Sequence, residues 1–283
     1  MTTQRERRNV FGEAVEDYDA YRLGYPAALV DDVLAAAGNG PALEVGAGTG
    51  KATVAFAARG IDLTCVEPDG RMASVLRRHV PGATVLETLF ESWRPDRRYG
   101  LLYSAQAWHW VDPVRRADLA YAALAPGGLI ALFWNVFLMS DPVLHAALTE
   151  VDARYFPEGE HTAHSWLAGE VPREIRAFTE EWPELGLDDG RFTDLETRRY
   201  RSSLTSTSAD YRRYLGTTSI YRMLDDDARE SALAETVAAI DAHGGTITGI
   251  VDTDLALGRV RSCAGSATES DHTCSTPRNR DVA

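Results

Sequence analysis

Cysteine is scarce in this sequence, with three residues in a chain of 283. Cys65 falls in a predicted buried strand, whereas Cys263 and Cys274 fall in a polar C-terminal stretch with His272 as the only nearby imidazole. This usage excludes a disulfide framework. It also gives no reason to expect a metal site, and we predict none.

Long apolar runs and an excess of positive charge are absent too. No run approaches the roughly 18 to 20 apolar residues that cross a bilayer, and the charged start "MTTQRERRNV" lacks the apolar segment of a signal peptide. The formal charge is -13, from 42 acidic and 29 basic residues, which would repel the phosphates of nucleic acid. We therefore expect a cytoplasmic protein that binds neither nucleic acid nor a membrane.

The remaining composition, 45% apolar and 25% charged, is that of a globular protein. After residue 40, strand-like and helix-like segments alternate, which is typical of a parallel sheet covered by helices. We predict an α/β fold that is Rossmann-like and doubly wound, with a mostly parallel seven-stranded sheet. The predicted strands cover residues 42–46, 61–67, 83–86, 100–104, 128–134, 191–205 and 246–260. The predicted helices cover residues 27–37, 50–59, 70–79, 113–124, 209–224 and 226–242.

The elements group into five predicted segments. An N-terminal helical segment, residues 1–40, precedes a core of residues 41–135. Residues 136–245 form a helical insertion after the fifth strand, together with the sixth strand and a substrate cap. Residues 246–260 complete the sheet, and residues 261–283 are small and polar, so we expect a disordered tail.

A glycine-rich loop follows the first predicted strand, in "ALEVGAGTGKAT" at residues 42–53. Gly46, Gly48 and Gly50 let the backbone turn sharply and approach a ligand. A dinucleotide fingerprint has the spacing G-x-G-x-x-G, whereas here the third glycine comes one residue earlier and Lys51 follows it. A tight turn without a ligand is the plain alternative for such a loop.

Two carboxylates accompany this loop. Glu44 precedes Gly46 by two residues, where it suits a cationic ligand better than a pyrophosphate. Glu67 ends the second predicted strand, where an acidic side chain can accept hydrogen bonds from both ribose hydroxyls. A nucleoside with a free ribose and a positive charge fits both carboxylates, and S-adenosylmethionine is such a ligand.

Four stretches, "LEVGAGTGKAT", "VEPDGRM", "YSAQAWHWVDP" and "LAPGGLIALFWN", resemble consecutive motifs of class I S-adenosylmethionine-dependent methyltransferases. The likeness is to the branch with ubiquinone-biosynthesis-like and trans-aconitate-methyltransferase-like enzymes. "FGEAVEDYDAYRLGYP" and "TTSIYRML" resemble that branch as well, so the likeness covers most of residues 10–260. It implies an enzyme that uses S-adenosylmethionine as its methyl donor.

The resemblance also implies where the cofactor binds. The loop glycines would line its methionine and ribose parts, and Glu67 would hold the ribose diol. Glu44 would lie near the ammonium, either in direct contact or through water. The N-terminal segment would cover the cofactor, with Arg22 against its carboxylate. Glu91 would border the adenine, with Glu87 as an alternative. The implied cofactor-binding residues are Tyr18, Arg22, Glu44, Gly46, Gly48, Gly50, Glu67, Phe90, Glu91 and Ser104.

One position departs from the family pattern. Relatives commonly carry an Asp just before the fourth strand, whereas this chain has Tyr99 and Gly100. No role is therefore carried over to that position.

The segment "SAQAWHWVDP", residues 104–113, follows the fourth predicted strand at the ligand-facing edge of the sheet. His109 is the candidate catalytic residue, as a base for a hydroxyl acceptor or as an orienting group for a carboxylate. A histidine that only caps local backbone between two packed tryptophans is the alternative. The predicted substrate-binding residues are Tyr25, Gln106, Trp108, Trp110, Tyr214 and Tyr221.

Two further patterns leave alternatives open. His161 and His164 have a spacing that suits one helix face, although we expect a solvated loop because no other ligand completes a metal site. An apolar and aromatic stripe recurs at helical spacing and is either core or the roof of an acceptor pocket. The stripe consists of Tyr211, Tyr214, Leu215, Thr218, Tyr221 and Leu224.

The leading hypothesis is an enzyme that methylates an oxygen, carboxylate or hydroxyl, of a small molecule, as in secondary metabolism. A protein that binds S-adenosylmethionine for a non-methylating reaction, or as a sensor, is the second hypothesis, because a fold alone does not fix function. A protein or RNA methyltransferase fits less well, given the acidic charge and the lack of a peptide-groove signature.

Overall fold

The structure is a computed structural model that describes residues 7, 10–156, 162–169 and 185–262. Several expectations from the sequence fall outside these residues, namely those on His161, Cys263, His272, Cys274 and the tail from residue 263. Cys65 is free and buried in the second strand, as predicted.

Seven strands form one sheet in the described part of the chain, in the order β3-β2-β1-β4-β5-β7-β6. Every neighbouring pair from β3 to β5 is parallel, and β7 runs antiparallel to both β5 and β6. The doubly wound, mostly parallel sheet predicted from the sequence is therefore confirmed. The strands are β1 (Ala42–Val45), β2 (Leu63–Val66), β3 (Thr84–Leu86), β4 (Tyr99–Ala105), β5 (Leu124–Met139), β6 (Phe192–Thr207) and β7 (Thr246–Val260).

Helices cover both faces of this sheet and one of its ends. Two 3-10 turns of the described chain, Phe11–Ala14 and Trp108–Trp110, lie near the carboxyl ends of the strands. The α-helices are α1 (Val15–Tyr21), α2 (Ala27–Ala37), α3 (Thr53–Ala57), α4 (Gly70–His79), α5 (Arg116–Ala123), α6 (Pro142–Tyr155), α7 (Ser208–Gly216), α8 (Ser219–Met223) and α9 (Asp226–Ala242). None of the described helices is long and apolar enough to span a bilayer.

Three core clusters stabilise these layers. Leu102 and Trp108 lie in the cluster on one sheet face, and Phe56 and Phe133 in the cluster on the other. The third cluster lies between helices α6, α7, α8 and α9 and parts of strands β5 and β7, and it contains Tyr211. The sheet is thus a rigid platform, with a helical cap beside its carboxyl edge.

The predicted helix at 50–59 is too long, because α3 covers only Thr53–Ala57. Gly50 has φ +95°, a left-handed conformation that excludes it from the helix. The predicted start of the helix at Asp112 and Pro113 is also wrong. The Asp112 carboxylate accepts a hydrogen bond from the Val114 amide in a turn, and α5 begins at Arg116.

The fifth strand is longer than predicted and includes "APGG", residues 125–128, which we expected to end a helix. Its antiparallel pairing with β7 continues to Met139 opposite Gly249, four residues into the segment predicted as a helical insertion. The predicted helix at 209–224 is two helices. It breaks at Thr217 and Thr218, whose hydroxyls donate to the Tyr214 and Leu215 carbonyls.

Candidate active site

A cavity of about 350 Å³ lies where β1, β2 and β4 end, bordered by the N-terminal segment and the cap. Its position agrees with the rule that open α/β sheets bind ligands beyond the carboxyl ends of their strands. Eleven of the predicted site residues line it. They are Tyr18, Arg22, Gly46, Gly48, Glu67, Phe90, Glu91, Gln106, His109, Trp110 and Tyr214.

The glycine loop forms the floor of this cavity. Gly46 has φ +71°, and a Cβ there would lie 2.3 Å from the Cβ of Ala107. Gly48 has φ +57°, and a Cβ there would point to Met72 at 3.5 Å and to the Tyr18 hydroxyl at 3.8 Å. Both of those side chains line the cavity. A side chain at position 48 would therefore extend into the space that a ligand needs.

Glu67 ties this loop to the next one. Its carboxylate accepts a hydrogen bond from the Gly48 amide at 2.8 Å and another from the Asp69 amide at 2.9 Å. Burial raises the pKa of Glu67 to about 7, against the lowering effect of these two amides. A carboxylate offers about four acceptor sites, so two remain for ribose hydroxyls.

Glu44 lies beneath the loop and does not line the cavity. Its carboxylate accepts hydrogen bonds from the Thr53 hydroxyl at 2.6 Å and the Tyr103 hydroxyl at 2.8 Å. Burial raises the pKa of Glu44 to about 7, and the nearby Glu67 charge adds to the effect. The structure therefore gives Glu44 an internal bracing role for the loop, in place of direct contact with a ligand's ammonium.

The adenine end of the cavity, as implied by the resemblance, is formed by Asp69, Met72, Phe90 and Glu91. Glu91 accepts a hydrogen bond from the Asp112 amide at 2.8 Å, so it joins the third and fourth strand ends. The alternative carboxylate, Glu87, is partly exposed and pairs with Arg77 outside the cavity.

The N-terminal segment crosses the cavity and is fastened on both sides. Lys51 donates to the Asp19 carbonyl beside the glycine loop. On the cap side, Arg213 pairs with Asp17 at 3.0 Å, and Arg222 pairs with Glu13. The segment therefore lies beside the cavity, fastened to the glycine loop and to the cap, and its covering of the cofactor stays a prediction.

The aromatic corner after β4 divides into buried and cavity-facing residues. Trp108 is fully buried and donates its indole N–H to the Leu185 carbonyl at 2.9 Å, so it packs in the core. Trp110 lines the cavity and meets Phe11 edge to face, with ring centroids 5.9 Å apart. His109 also lines the cavity, with its ring centroid 4.6 Å from that of Trp110.

His109 has an unusual electrostatic environment. Although the residue is solvent-exposed, desolvation of the ring lowers its pKa to about 4, and the Arg116 and Arg7 guanidiniums lower it further. At pH 7 the imidazole is therefore neutral, with one nitrogen as a donor and the other as an acceptor.

Gln106 directly follows the end of β4 and has a strained backbone conformation. Its φ is +58°, which is uncommon for a residue with a side chain, and its amide nitrogen donates to the Asn135 carbonyl at 3.2 Å. Strain of this kind is frequent at ligand sites, where the surrounding structure enforces it.

The cap supplies the remaining wall of the cavity, which is uncharged. This wall consists of Asn135 at the edge of the sheet together with Thr162, Ala163, Tyr214, Thr218, Ser219 and Ile220. The helical stripe is thus divided, because Tyr211, Leu215 and Tyr221 are buried in the third core cluster. His164 is fully buried against Asp152 and the Tyr211 hydroxyl, so the expected solvated loop is wrong for this residue. No metal-binding cluster of His, Cys, Asp or Glu occurs among the described residues.

Six predicted site residues support the cavity from behind. The Ser104 hydroxyl donates to the Val45 carbonyl at 2.8 Å. Gly50 packs on α4, where a Cβ would lie 2.6 Å from Leu76. Tyr25 packs on Phe133 with ring centroids 4.8 Å apart. The six residues are Tyr25, Glu44, Gly50, Ser104, Trp108 and Tyr221.

Sequence reasoning missed several residues of the cavity wall. Phe11 begins the quoted N-terminal stretch and Asn135 ends the quoted "LAPGGLIALFWN", so both lay within recognised motifs. Asp69 and Met72 follow Glu67 within the second motif. The start of a helix directly after a strand end was the signal that could have placed them at the cavity. Thr218 belongs to the recognised stripe, but the break between α7 and α8 that exposes it to the cavity is a tertiary effect.

Several residues that line the cavity fit S-adenosylmethionine. Gly48 leaves the open floor that a methionine and ribose need, and Glu67 keeps acceptor sites for a diol. Arg22 provides a guanidinium on the wall, which suits a carboxylate. Glu67 and Asp69 also line the cavity, and their negative charge suits a ligand that carries a positive charge.

Comparison with known proteins agrees with this geometry. Residues 43–132 match the family described as methyltransferase domain. An uncharacterized methyltransferase of Mycobacterium tuberculosis is 39% identical over 137 residues, which are 48% of this chain and 56% of that relative. The matched region thus spans about half the length of this curated relative.

Solved structures share the fold at low sequence identity. A structure named as a type II methyltransferase of Anaeromyxobacter dehalogenans has a TM-score of 0.60 and 22% identity, and covers 86% of this chain and 99% of its own. Phosphoethanolamine N-methyltransferase 2 of Haemonchus contortus, solved with phosphomonomethylethanolamine and S-adenosylhomocysteine, has a TM-score of 0.50 and 12% identity. The match covers 91% of this chain and 60% of that one. The match identifies residues 43–132 as a methyltransferase domain, and the solved structures share the fold of the chain around it.

Proposed function

We propose that this protein transfers a methyl group from S-adenosylmethionine to an oxygen of a small molecule. One observation carries the proposal: the same cavity has Glu67 and the glycine loop on one side and His109, Gln106 and an uncharged cap wall on the other. The first side suits the cofactor and the second side suits an acceptor.

The cofactor, when bound, supplies a methyl group on a positively charged sulfur that is a good leaving group. The protein then has to align an acceptor with that methyl group and exclude water. Good alignment can contribute on the order of 7 to 11 kcal/mol. Gln106, held rigidly at the end of β4, and the cap wall with Tyr214 are the residues we assign to this alignment.

His109 is the residue that we assign to the acceptor's oxygen. With a pKa of about 4, its imidazole is neutral at pH 7 and has a free acceptor nitrogen. It accepts a hydrogen bond from a hydroxyl acceptor, or donates one to a carboxylate acceptor, without itself carrying a charge. The low pKa makes it a weak base, so orientation of the oxygen is the larger part of the proposed role.

The size and walls of the cavity support a small acceptor over a polymer. The N-terminal segment borders one side and the cap another, and the volume of about 350 Å³ between them suits a small molecule. The formal charge of -13 also opposes nucleic acid. An acceptor from secondary metabolism and a cytoplasmic location are part of the same proposal.

A screen of small carboxylic acids and phenols with methyl-labelled S-adenosylmethionine tests the proposal. Transfer of label to an oxygen, with formation of S-adenosylhomocysteine, is the expected result. Binding of S-adenosylhomocysteine without transfer to any oxygen, nitrogen or carbon acceptor would instead support a sensor or a non-methylating enzyme. Labelled nitrogen or carbon products would keep the enzyme and overturn the choice of oxygen.

A further inference from the structure

Arg22 lies at the junction of the N-terminal segment and the cap, and one residue of the cap fixes its orientation. Its Nε donates to the Thr217 hydroxyl at 2.9 Å, and its Nη2 donates to the Thr217 carbonyl at 2.9 Å. A guanidinium is planar, so two hydrogen bonds to one residue along one edge determine the plane and the direction of the group.

Two aromatic rings flank the same guanidinium. The Arg22 Cζ lies 5.1 Å from the centroid of the Tyr18 ring and 5.3 Å from that of the Tyr214 ring. Tyr18 belongs to α1 and Tyr214 to α7, so these rings come from the N-terminal segment and from the cap. Each distance is within the range of a cation–π contact.

Thr217 is itself held tightly. It is fully buried, and its hydroxyl donates to the Tyr214 carbonyl at 2.6 Å while it accepts from Arg22. The hydroxyl therefore has both its donor and an acceptor site in use. The break between α7 and α8, at Thr217 and Thr218, is what turns this hydroxyl and carbonyl toward Arg22.

The other edge of the guanidinium is the one that remains for a ligand. Nη1 makes no hydrogen bond to any residue in the described part of the chain, and Arg22 lines the cavity. A guanidinium edge with its direction fixed is suited to a carboxylate, which it can bind through two parallel hydrogen bonds. The amino-acid end of S-adenosylmethionine carries such a carboxylate.

We propose that Thr217 is a positioning residue that aims Arg22 at the carboxylate of the cofactor. This inference rests on the proposed function, because it takes S-adenosylmethionine as the ligand. Thr217 contacts the cofactor only through Arg22, and it lies next to Thr218, which lines the acceptor side of the cavity. Two consecutive residues of the cap thus serve the two sides of the cavity. Thr217 acts on the cofactor side through Arg22, and Thr218 lines the acceptor side.

A pair of ligands separates positioning from a merely structural role. S-adenosylhomocysteine carries the carboxylate, whereas 5′-methylthioadenosine has the same nucleoside and sulfur but no amino acid. In T217V the shape is nearly kept and the hydroxyl is lost. We expect the Kd of S-adenosylhomocysteine to rise by about five- to tenfold, the upper part of the range for one net hydrogen bond. The Kd of methylthioadenosine should change by less than about twofold, which is under roughly 0.5 kcal/mol.

Three further variants complete the experiment, with calorimetry as the measurement. T217S keeps the hydroxyl and should match the wild type for both ligands. R22M removes the guanidinium and should raise the Kd of S-adenosylhomocysteine more than T217V does, again without a matching change for methylthioadenosine. In the double variant R22M/T217V, the second substitution should add no further loss, because Thr217 acts through Arg22. If T217V does not fold, T217C, with a weak thiol in place of the hydroxyl, should show the same split between ligands.

Distinct outcomes overturn distinct claims. Equal losses for both ligands in T217V and T217C would make Thr217 a structural residue and overturn the inference. A loss in R22M that T217V and T217C do not share would also overturn it, while the proposed cofactor pose would stand. No loss in R22M would overturn both the inference and the assignment of Arg22 to the carboxylate. Failure of the wild type to bind either ligand would overturn the proposed function itself.

Discussion

The amide of Gly48 donates to the carboxylate of Glu67 at 2.8 Å, which joins the glycine loop after β1 to the end of β2. The second carboxylate oxygen accepts from the Asp69 amide at 2.9 Å. One side chain therefore joins two loops and also lines the cavity. We expect the same carboxylate both to fix the two loops and to accept hydrogen bonds from a ribose diol.

Replacement of Glu67 by Ala should weaken the binding of S-adenosylhomocysteine by about 1.5 to 3 kcal/mol, the range for hydrogen bonds to a charged group. The loss comes from the missing ribose acceptors and from the looser glycine loop. Calorimetry provides the measurement. Glu87→Ala is the matched control, because that carboxylate is outside the cavity and pairs with Arg77. Equal affinities of E67A and the wild type would assign the ribose to another residue.

Ligand binding should become tighter as the pH rises toward about 7 and then level off. Burial raises the pKa of Glu67 to about 7, so part of the free protein carries a protonated carboxyl below that pH. A ribose diol donates to the ionised form, and binding therefore releases a proton in this range. The neighbouring Asp69 stays ionised throughout, since Arg71 lowers the pKa of its carboxyl.

Methylthioadenosine is the suitable probe for this measurement, because an amino-acid α-amine would itself titrate near pH 7.7 to 8.0. Titrations between about pH 5.5 and 8.5 should show the pH dependence in the wild type and lose it in Glu67→Gln. Glu44→Gln is the control for the other carboxylate with a pKa of about 7. If the pH dependence of binding persists in E67Q and disappears in E44Q, then Glu44, in place of Glu67, releases the proton on binding.

Gly46→Ala should destabilise the fold and abolish cofactor binding. Its φ of +71° strains any side chain, and the new Cβ would lie 2.3 Å from the Cβ of Ala107. Gly60→Ala has a similar φ of +76° with nothing within 4 Å, so it carries only the strain of about 1 to 2 kcal/mol. Thermal unfolding should therefore place G46A well below G60A.

Removal of the clashing atom checks the cause. The double variant G46A/A107G should recover much of the melting temperature and some of the binding, because only the backbone strain remains. A double variant no more stable than G46A would show that the close approach to Ala107 is not the reason for glycine at this position.

The sequence predicted the sheet well because its strands obey local rules. β1, β2 and β4 are short apolar segments bounded by glycine or polar residues, and their carboxyl ends had to meet at one edge. The glycine loop and Glu67 could be predicted for the same reason, since both immediately follow strands. The extension of β5 to Met139 could not, because it depends on a long antiparallel pairing with β7.

Which side chains face the cavity was less accessible to sequence reasoning. Trp108 and Trp110 are two residues apart in one 3-10 turn, yet the first is buried in the core and the second lines the cavity. Glu44 stands where a cation would suit it, yet Thr53 and Tyr103 occupy its carboxylate. Such outcomes depend on partners that are distant in sequence, and no local pattern encodes them.

The role of His109 separates two acceptor chemistries. The sequence alone predicts a base that titrates near neutral pH, whereas desolvation and the Arg116 and Arg7 charges lower its pKa to about 4. We therefore expect the pH profile of kcat to fall below about pH 4, where the imidazole of His109 becomes protonated. Between about pH 6 and 8 this residue should contribute a flat profile.

His109→Asn retains a hydrogen-bonding side chain and removes the titrating nitrogen, so it tests both roles once an acceptor is known. For a hydroxyl acceptor kcat should fall by more than about twofold but by less than the roughly 100-fold of general-base catalysis, since a pKa of about 4 makes His109 a weak base, and the fall of the pH profile below about pH 4 should disappear. For a carboxylate acceptor, already ionised at pH 7, KM should rise while kcat changes little. His243→Asn is the matched control, because that exposed imidazole caps α9 through the Ala239 carbonyl. If H109N differs from H243N by less than about twofold in both parameters, under roughly 0.5 kcal/mol, then His109 does not contact the acceptor and its assignment to the chemistry is wrong.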